Sequence, residues 1–186
     1  VDVFSAPSDP LPLIEYLMQK NHQALQQAET VDRFAMMDGD YVMPGFDHSR
    51  DVCAYLPIVL GCSHACTYCV IPYRRGVEES RPFDVVLKEA RNLVEHGAKE
   101  ITLLGQIVDR YGLDLESGHN LPALLRELDR LPNLERIRFL TSHPNWMTDE
   151  LLQAVADLPK VTPHIEVPVQ AGDNTILANM KRGYTR

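Results

Sequence analysis

Three closely spaced cysteines, Cys62, Cys66 and Cys69, are the residues of this sequence whose type and spacing point most directly to chemistry. The pattern C-x3-C-x2-C places three thiolates on one short loop, which is enough to hold three irons of a 4Fe-4S cubane. The fourth iron then has no protein ligand. Because the amino and carboxylate groups of S-adenosylmethionine (SAM) can chelate such an iron, the spacing predicts an iron-sulfur site that binds SAM.

A structural zinc ion is the alternative for the same thiols. Zinc needs four closed ligands, and Cys53 or His64 could complete a set with the three cysteines. Zinc modules usually present two ligand pairs on separate knuckles, whereas these cysteines directly follow an apolar run. The spacing therefore favours the open iron-sulfur site, and Cys53 is interpreted as a small buried apolar residue.

The composition indicates a globular chain of ordinary domain size. Its 186 residues are 45% hydrophobic, and its formal net charge of -8 argues against a nucleic-acid surface spread over the whole chain. No stretch approaches the ~20 apolar residues of a membrane span, and the first residues do not resemble a signal peptide. Three cysteines within eight residues suit a reducing compartment. We therefore expect a cytoplasmic protein without a membrane partner, and, since the sequence does not begin with Met, a fragment.

The chain divides near residue 52. Residues 1–52 are predicted to form an N-terminal helix and a linker, because apolar residues recur at near-helical spacing between Leu13 and Leu25. Residues 53–186 alternate between strands and helices. The predicted strands are 54–60, 100–104, 134–140 and 164–169, and the predicted helices are 83–96, 121–131, 149–158 and 174–181. This order is typical of a parallel sheet covered by helices, either a TIM-like barrel or an open α/β layer.

Polar motifs follow each predicted strand. The cysteines follow the first strand and Gly105-Gln106 the second, while Thr141-Ser-His-Pro144 and Gln170-Ala-Gly172 follow the third and fourth. Parallel α/β folds place their active sites at the carboxyl ends of the strands. A full barrel needs about eight βα units, so four units predict a truncated one.

Further motifs surround these strand ends, and the whole set is highly specific. The motifs are Pro57-Ile-Val-Leu-Gly61-Cys62, Cys66-Thr-Tyr-Cys69-Val-Ile-Pro72-Tyr73-Arg74-Arg75-Gly76, Ser80-Arg81-Pro82, Leu104-Gly105-Gln106, Thr141-Ser142-His143-Pro144, Pro168-Val-Gln170-Ala-Gly172 and Met180-Lys-Arg182-Gly-Tyr184-Thr185-Arg186. Together they resemble the radical SAM methylthiotransferase family. They are most similar to the branch that methylthiolates isopentenylated adenosine beside the anticodon of tRNA. The branches that act on threonylcarbamoyl-adenosine in tRNA or on a ribosomal protein side chain are the alternatives.

The resemblance implies a fold and a reaction. The chain from Tyr55 to Arg186 would be an α/β fold, a partial TIM-like (β/α) radical SAM barrel of about four βα units, truncated at its C-terminal end. In this family one SAM supplies a methyl group to sulfur at a second 4Fe-4S cluster, and another SAM yields the radical that attacks carbon 2 of the adenine. A preceding domain holds that second cluster, and tRNA is bound partly by a C-terminal domain. Neither is expected here, so the chain alone should not complete the reaction.

The resemblance also implies partners and one departure. The partners are tRNA, mainly through the missing domains, and an electron donor such as flavodoxin or ferredoxin. After Gly105-Gln106 the family usually has Asn-Val-Asn, whereas this chain has Ile107-Val108-Asp109. A polar contact to SAM or substrate is therefore lost, or the loop differs.

Polar residues near the strand ends are the candidates for binding SAM. They are Tyr68, Gln106, Ser142, Glu166 and Gln170, each of which could instead cap or pack a loop. His143 could orient substrate, move a proton, or serve as a structural hydrogen bonder. Arg74 and Arg75 could hold a phosphate of tRNA or the SAM carboxylate, or lie in a solvated loop. A small basic patch is predicted from Lys181, Arg182 and Arg186.

Overall fold

The computed structural model describes residues 52–186. The predicted N-terminal helix and most of the linker lie outside the described residues, and the boundary between residues 52 and 53 stays a prediction. Within the described part there are five strands, β1 (Cys53–Pro57), β2 (Val59–Leu60), β3 (Glu79–Ser80), β4 (Glu100–Leu104) and β5 (Arg136–Phe139). The same part contains five α-helices, α1 (Ile71–Arg75), α2 (Phe83–Glu95), α3 (Leu121–Asp129), α4 (Asp149–Asp157) and α5 (Asn174–Asn179).

Three strands form a parallel sheet with the order β1-β4-β5. Tyr55 lies opposite Thr102 in the first pair, and Thr102 lies opposite Arg138 in the second. Helix α2 connects the first two strands, and α3 lies between β4 and β5 in the chain. The predicted strand-helix alternation is thus confirmed for these three strands, whose carboxyl ends share one edge of the sheet.

Local signals explain where the helices begin and end. The side chain of Asn120 accepts a hydrogen bond from the Ala123 N–H at the start of α3, and Thr148 caps α4 in the same way at Leu151. These side chains satisfy backbone donors that have no partner within the helix. Helix α2 ends just before Gly97, whose φ of 108° is a conformation that favours glycine. The predicted caps are therefore confirmed.

The core lies between the sheet and the helices. Leu56, Ile101, Leu103 and Ile137 on the three strands are fully buried. They belong to one apolar cluster with the inner faces of α2, α3 and α4, to which the helices contribute residues such as Val86, Leu87, Leu124, Leu128 and Leu151. Helices thus cover the sheet, as the alternation of strands and helices predicted. No helix in the part of the chain that the structure describes is long and apolar enough to cross a membrane.

The predicted strand at 164–169 is wrong. Among the described residues after β5, only Val161 pairs with this strand, through a single parallel bridge to Ile137. Pro163 follows almost at once and Pro168 interrupts the predicted run, and proline cannot donate to a sheet ladder. One contact beyond the bridge remains, in which the Ser142 N–H donates to the Glu166 carbonyl at 3.0 Å. Segment 164–170 therefore runs beside the end of β5 without becoming a strand.

The first predicted strand is correct in place but is divided in two. Residues 54–57 lie in the parallel sheet, whereas Val59–Leu60 leaves it and pairs antiparallel with Glu79–Ser80. Ile58 lies between them, and its N–H still donates to the Leu104 carbonyl at 2.8 Å. The small β2-β3 ladder, which the sequence did not predict, closes the segment that carries the cysteines.

Candidate functional site

The cysteine loop begins directly after β2 at a glycine that no other residue can easily replace. Gly61 has a φ of +67°, and a Cβ atom there would lie 2.0 Å from the Val77 carbonyl oxygen. The next residue, Cys62, donates its N–H to the Gly76 carbonyl at 3.1 Å. The start of the loop is thus held against the segment that follows α1.

The three thiols differ in their exposure. Cys62 is buried, Cys66 and Cys69 are half-buried, and all are free. Burial raises the pKa of the Cys62 thiol, and the opposing effect of its hydrogen bond with the His64 backbone is smaller. A metal centre binds the thiolate and displaces its proton. A bound cluster would therefore offset the free-energy penalty of burying a thiolate at Cys62, because the metal compensates its negative charge.

The C-terminal part of the chain closes over this loop. The Thr67 N–H donates to the Met180 carbonyl at 3.2 Å, and its Oγ1 donates to the Asn179 carbonyl at 3.1 Å. Both acceptors lie at the end of α5, where backbone carbonyls have no partner within the helix. The residues between Cys66 and Cys69 are thereby tied to α5.

Arg182, which follows α5 closely in the chain, also contacts the cysteine loop, at the sulfur of Cys66. Its Nη1 lies 3.3 Å from the Cys66 Sγ and 3.2 Å from the Tyr68 hydroxyl. The residue is buried, so the predicted basic patch with Lys181 and Arg186 is wrong for Arg182. Lys181 and Arg186 are exposed. Sequence reasoning missed the contact between Arg182 and the cysteine loop, although Arg182 lies within one of the family motifs.

Aromatic rings fill the space between the cysteine loop and the end of β5. The rings of His64 and His143 have centroids 4.5 Å apart, and Trp146 donates from Nε1 to His64 Nε2 at 3.2 Å. The Arg110 guanidinium covers the Trp146 ring at 4.3 Å and forms an ion pair with Glu78 at 2.6 Å. His64 is thus engaged as a hydrogen-bond acceptor.

His143 forms hydrogen bonds that join two loops at the strand ends. It is buried. Its backbone N–H donates to Asp109 Oδ2 at 2.9 Å, and its ring Nδ1 accepts from the Asn145 backbone N–H at 3.2 Å. Burial, together with the positive charge of Arg182, lowers the pKa of His143 to about 4. The imidazole is therefore neutral at physiological pH, with its proton on Nε2.

Three buried polar atoms at these strand ends have no hydrogen-bond partner among the described residues. They are Asp109 Oδ1, Ser142 Oγ and His143 Nε2. Burial raises the pKa of Asp109 to about 6, against the opposing hydrogen bond from the His143 N–H. Because leaving such groups unpaired is costly, their grouping indicates a place built to receive polar atoms of something else.

The five predicted SAM-binding residues differ in burial and in the segment that carries them. Ser142 is buried and Gln106 is half-buried at neighbouring strand ends, whereas Glu166 and Gln170 are exposed on the 164–170 segment. Tyr68 is about half exposed, and its hydroxyl accepts from Arg182. The hydrogen bond from Ser142 to the Glu166 backbone brings two of the five together, and their role toward SAM stays a prediction.

Two of these loops are held in unusual backbone conformations. Thr141 has a φ of 65° and Gln170 a φ of 67°. A β-branched residue is seldom found there, and such strain clusters at functional sites. The Thr141 hydroxyl donates to the Gly105 carbonyl at 2.7 Å, which ties the end of β5 to the loop after β4.

The remaining predicted cations lie beside the cysteines. Arg74 is half-buried and Arg75 exposed in the last turn of α1. Basic side chains are favourable at that end of a helix.

A closed zinc site does not fit this geometry. Cys53 begins β1 and lies opposite Glu100, at the other end of the strand from the cysteine loop. It is exposed, so its interpretation as a buried residue is wrong. Among residues 52–186, no three His, Cys, Asp or Glu side chains converge as a single-ion site would require. The spacing of the three thiols on one loop still favours an iron-sulfur cluster over zinc, and their role as cluster ligands stays a prediction.

A cavity elsewhere does not belong to this site. It has a volume of about 270 Å³ and lies between the start of α2 and the loop before α3, beside the stacked rings of Phe83 and His119. None of the predicted functional residues lines it.

The profile of the Radical SAM superfamily matches residues 56–186 of this sequence. The chain belongs to the radical SAM superfamily. Membership confirms the predicted fold class, a partial α/β barrel, and the predicted cofactors of this superfamily, a 4Fe-4S cluster and SAM. The match begins within β1 and includes all three cysteines.

Curated relatives show which members of the radical SAM superfamily this chain resembles. A protein of Roseiflexus sp. (strain RS-1) is 55% identical over 75% of this chain and 29% of its own length. A protein of Chloroflexus aurantiacus is 45% identical over 96% of this chain and 38% of its own length, and one of Methylobacillus flagellatus is 42% identical over 100% and 42%. All three carry the name tRNA-2-methylthio-N(6)-dimethylallyladenosine synthase. The chain thus spans less than half the length of these relatives.

Solved structures of other radical SAM enzymes share the fold. The cobalamin-dependent enzyme OxsB matches 93% of this chain and 28% of its own with a TM-score of 0.61 at 14% identity. The methyltransferase TsrM from Kitasatospora setae matches 75% of this chain and 26% of its own with a TM-score of 0.57 at 19% identity. At such identities the likeness extends to the fold alone.

Proposed function

We propose that this chain is the radical SAM core of a methylthiotransferase that inserts a methylthio group at carbon 2 of isopentenylated adenosine, next to the anticodon of tRNA. The observation that carries the proposal is the identity of 42 to 55% to synthases named for this reaction. The cysteine loop at the carboxyl end of the first strand supports it, because that is where such folds place their chemistry.

In this proposal Cys62, Cys66 and Cys69 hold the 4Fe-4S cluster and leave one iron for SAM. When bound, the pair supplies a carbon-centred radical by reductive cleavage of a carbon-sulfur bond. Gln106, Ser142, Glu166 and Gln170 offer hydrogen bonds to SAM from one edge of the sheet, and Tyr68 covers the cluster side. These side chains bind and orient, and the aromatic group around Trp146 excludes water.

The reaction as a whole needs more than the described residues. A second cluster, a tRNA partner and an electron donor such as flavodoxin or ferredoxin belong to the proposed function, and the relatives are much longer than this chain. The cytoplasm, where tRNA is modified, is the proposed location. With three of its four cysteines in one loop, the chain should cleave SAM more readily than it completes methylthiolation.

Two measurements test the proposal. Mass spectrometry of tRNA from a strain that lacks the intact gene should show loss of the methylthio-adenosine, and its return when the gene is restored. Unchanged tRNA would refute the tRNA substrate and favour the ribosomal-protein branch. Anaerobic reconstitution of the chain should give 4Fe-4S absorbance and dithionite-dependent SAM cleavage. One colourless zinc per chain would instead refute the radical chemistry.

A further inference from the structure

A buried positive charge beside the cysteine loop is not explained by the fold. Arg182 is 5% exposed, and among residues 52–186 its guanidinium forms no ion pair with a carboxylate. Burying an unpaired charge is expensive, and buried charges in proteins are normally paired. Arg182 therefore needs an anion that the described carboxylates do not supply.

The contacts of the guanidinium identify that anion. Nη2 donates to the Pro168 carbonyl at 3.4 Å, and Nε to the Tyr184 hydroxyl at 3.4 Å. Nη1 reaches the Tyr68 hydroxyl and the Cys66 Sγ. The three oxygens are neutral groups, whereas the sulfur is negative once it ligates a metal. The Cys66 thiolate is thus the counter-ion available to Arg182.

The backbone around Arg182 is built to hold this geometry. Its N–H donates to the Leu177 carbonyl at 3.0 Å, and its carbonyl accepts from Asn145 Nδ2 at 3.2 Å. Gly183 follows with a φ of +75°, and a Cβ atom there would lie 2.9 Å from that same Asn145 nitrogen. The Tyr184 hydroxyl donates in turn to the Val169 carbonyl. The side chain is fixed from both sides, so little conformational entropy opposes its contact with the sulfur.

We propose that Arg182 is a positioning residue and counter-ion for Cys66, which makes the 4Fe-4S cluster easier to reduce. Reduction adds one electron to the cluster and so increases its negative charge. A guanidinium hydrogen-bonded to a ligand sulfur stabilises that added charge more than the oxidised state. The same side chain joins the cysteine loop to segment 164–170 through Pro168, so it couples the cluster to the exposed candidates Glu166 and Gln170.

This inference rests on the proposed cluster and is tested separately from it. The complete wild-type chain is reconstituted anaerobically, and its midpoint potential is measured by EPR-monitored titration. The signal followed is the one that changes when SAM is added. A wild-type chain that takes up no iron would refute the proposed function, whereas the role of Arg182 depends on the comparison of variants.

Arg182→Gln removes the charge and is expected to lower the midpoint potential, so that reduction at a fixed poise falls at least tenfold. For a one-electron couple, tenfold corresponds to about 59 mV. Arg182→Lys keeps the charge and should retain most of the wild-type potential. The matched control is Lys181→Gln, which removes a neighbouring exposed charge and should shift nothing.

Iron content and circular dichroism accompany each titration. If Arg182→Gln fails to load iron while Arg182→Lys loads it, the counter-ion role is supported by the loss of the cluster itself. An unchanged potential in a folded, iron-loaded Arg182→Gln would overturn the proposal. So would equal shifts in the Gln and Lys variants, or unfolding of both, since either result would assign Arg182 to packing.

Discussion

The parallel sheet and the loops at its carboxyl edge are buried by different kinds of contact. In the sheet, Leu56, Leu103 and Ile137 are fully buried among other apolar side chains. At the edge, the buried residues include Arg182 and His143, and polar atoms such as Asp109 Oδ1 have no partner among the described residues. The sheet is therefore buried by its own apolar contacts, whereas the edge also buries polar groups whose partners are not among the described residues.

Substitutions in the two regions should therefore change different properties of the protein. Substitutions in the sheet should act on the free energy of unfolding, because they remove apolar contacts and leave cavities. Substitutions at the edge should act on cofactor binding, and some of them should increase stability.

The largest effect is expected at the cysteine loop. Cys69→Ala removes one of the three proposed cluster ligands and should abolish both iron-sulfur absorbance and SAM cleavage after anaerobic reconstitution. The unfolding midpoint of the metal-free chain should change little, because Cys69 is only half-buried. The control is Cys53→Ala, at the opposite end of β1, which should keep the full cluster absorbance. Loss of the cluster in both variants would contradict the assignment of Cys53.

The next effect is expected in the sheet. Leu103→Ala on the central strand β4 should lower the free energy of unfolding by about 2 to 5 kcal/mol, measured by urea denaturation of the metal-free chain. Leu103 is fully buried, so the substitution would leave a cavity that water cannot enter. Leu152→Ala, on the outer face of α4 and 43% exposed, is the matched control and should cost less than about 1 kcal/mol. Equal losses of stability in the two variants would show that burial at Leu103 does not set the cost.

A smaller effect of opposite sign is expected at Asp109. Its pKa is raised to about 6 by burial, so the folded chain favours the protonated carboxyl more than the unfolded chain does. The contribution of Asp109 to the free energy of unfolding should therefore fall as the pH rises from about 4 to about 6 and then stay constant. Asp109→Asn cannot ionise and should be more stable at pH 8 by about 1 to 3 kcal/mol, with no gain at pH 4.

The pH series needs a second carboxylate for comparison. Asp114 is exposed and also accepts a backbone N–H, from Ser80 at 2.8 Å. Asp114→Asn should give no stabilisation at pH 8, because its carboxylate remains in water. A gain at Asp114 as large as that at Asp109 would show that net charge, and not burial at the strand end, is responsible.

Much of the fold was predictable from the sequence because its signals are local. Asn120 and Thr148 mark helix starts by capping N–H groups three residues away, and Gly97 marks a helix end by its positive φ. The apolar run of β4 and the alternating apolar residues of β5 both indicate strands. These signals depend on neighbours in the chain and need no knowledge of the rest of the molecule.

The predicted fourth strand shows where local signals are insufficient. Residues 164–169 alternate like a strand, yet pairing with β5 occurs earlier, at Val161, and stops at Pro163. Whether a segment becomes a strand depends on a partner with free backbone groups in the right register. The same limit applies to β2 and β3, each of which is only two residues long and has no pattern to detect.

The sequence by itself determined the proposed ligand set, since the spacing of Cys62, Cys66 and Cys69 on one loop is a property of the chain alone. Only the tertiary structure decided what surrounds them. The contact between Arg182 and Cys66 joins residues 116 positions apart, and that between Asp109 and His143 joins residues 34 apart. The physical reason is that a ligand set requires only short-range spacing, whereas the charges and hydrogen bonds that tune it come from whichever distant segments the packed sheet brings to its carboxyl edge.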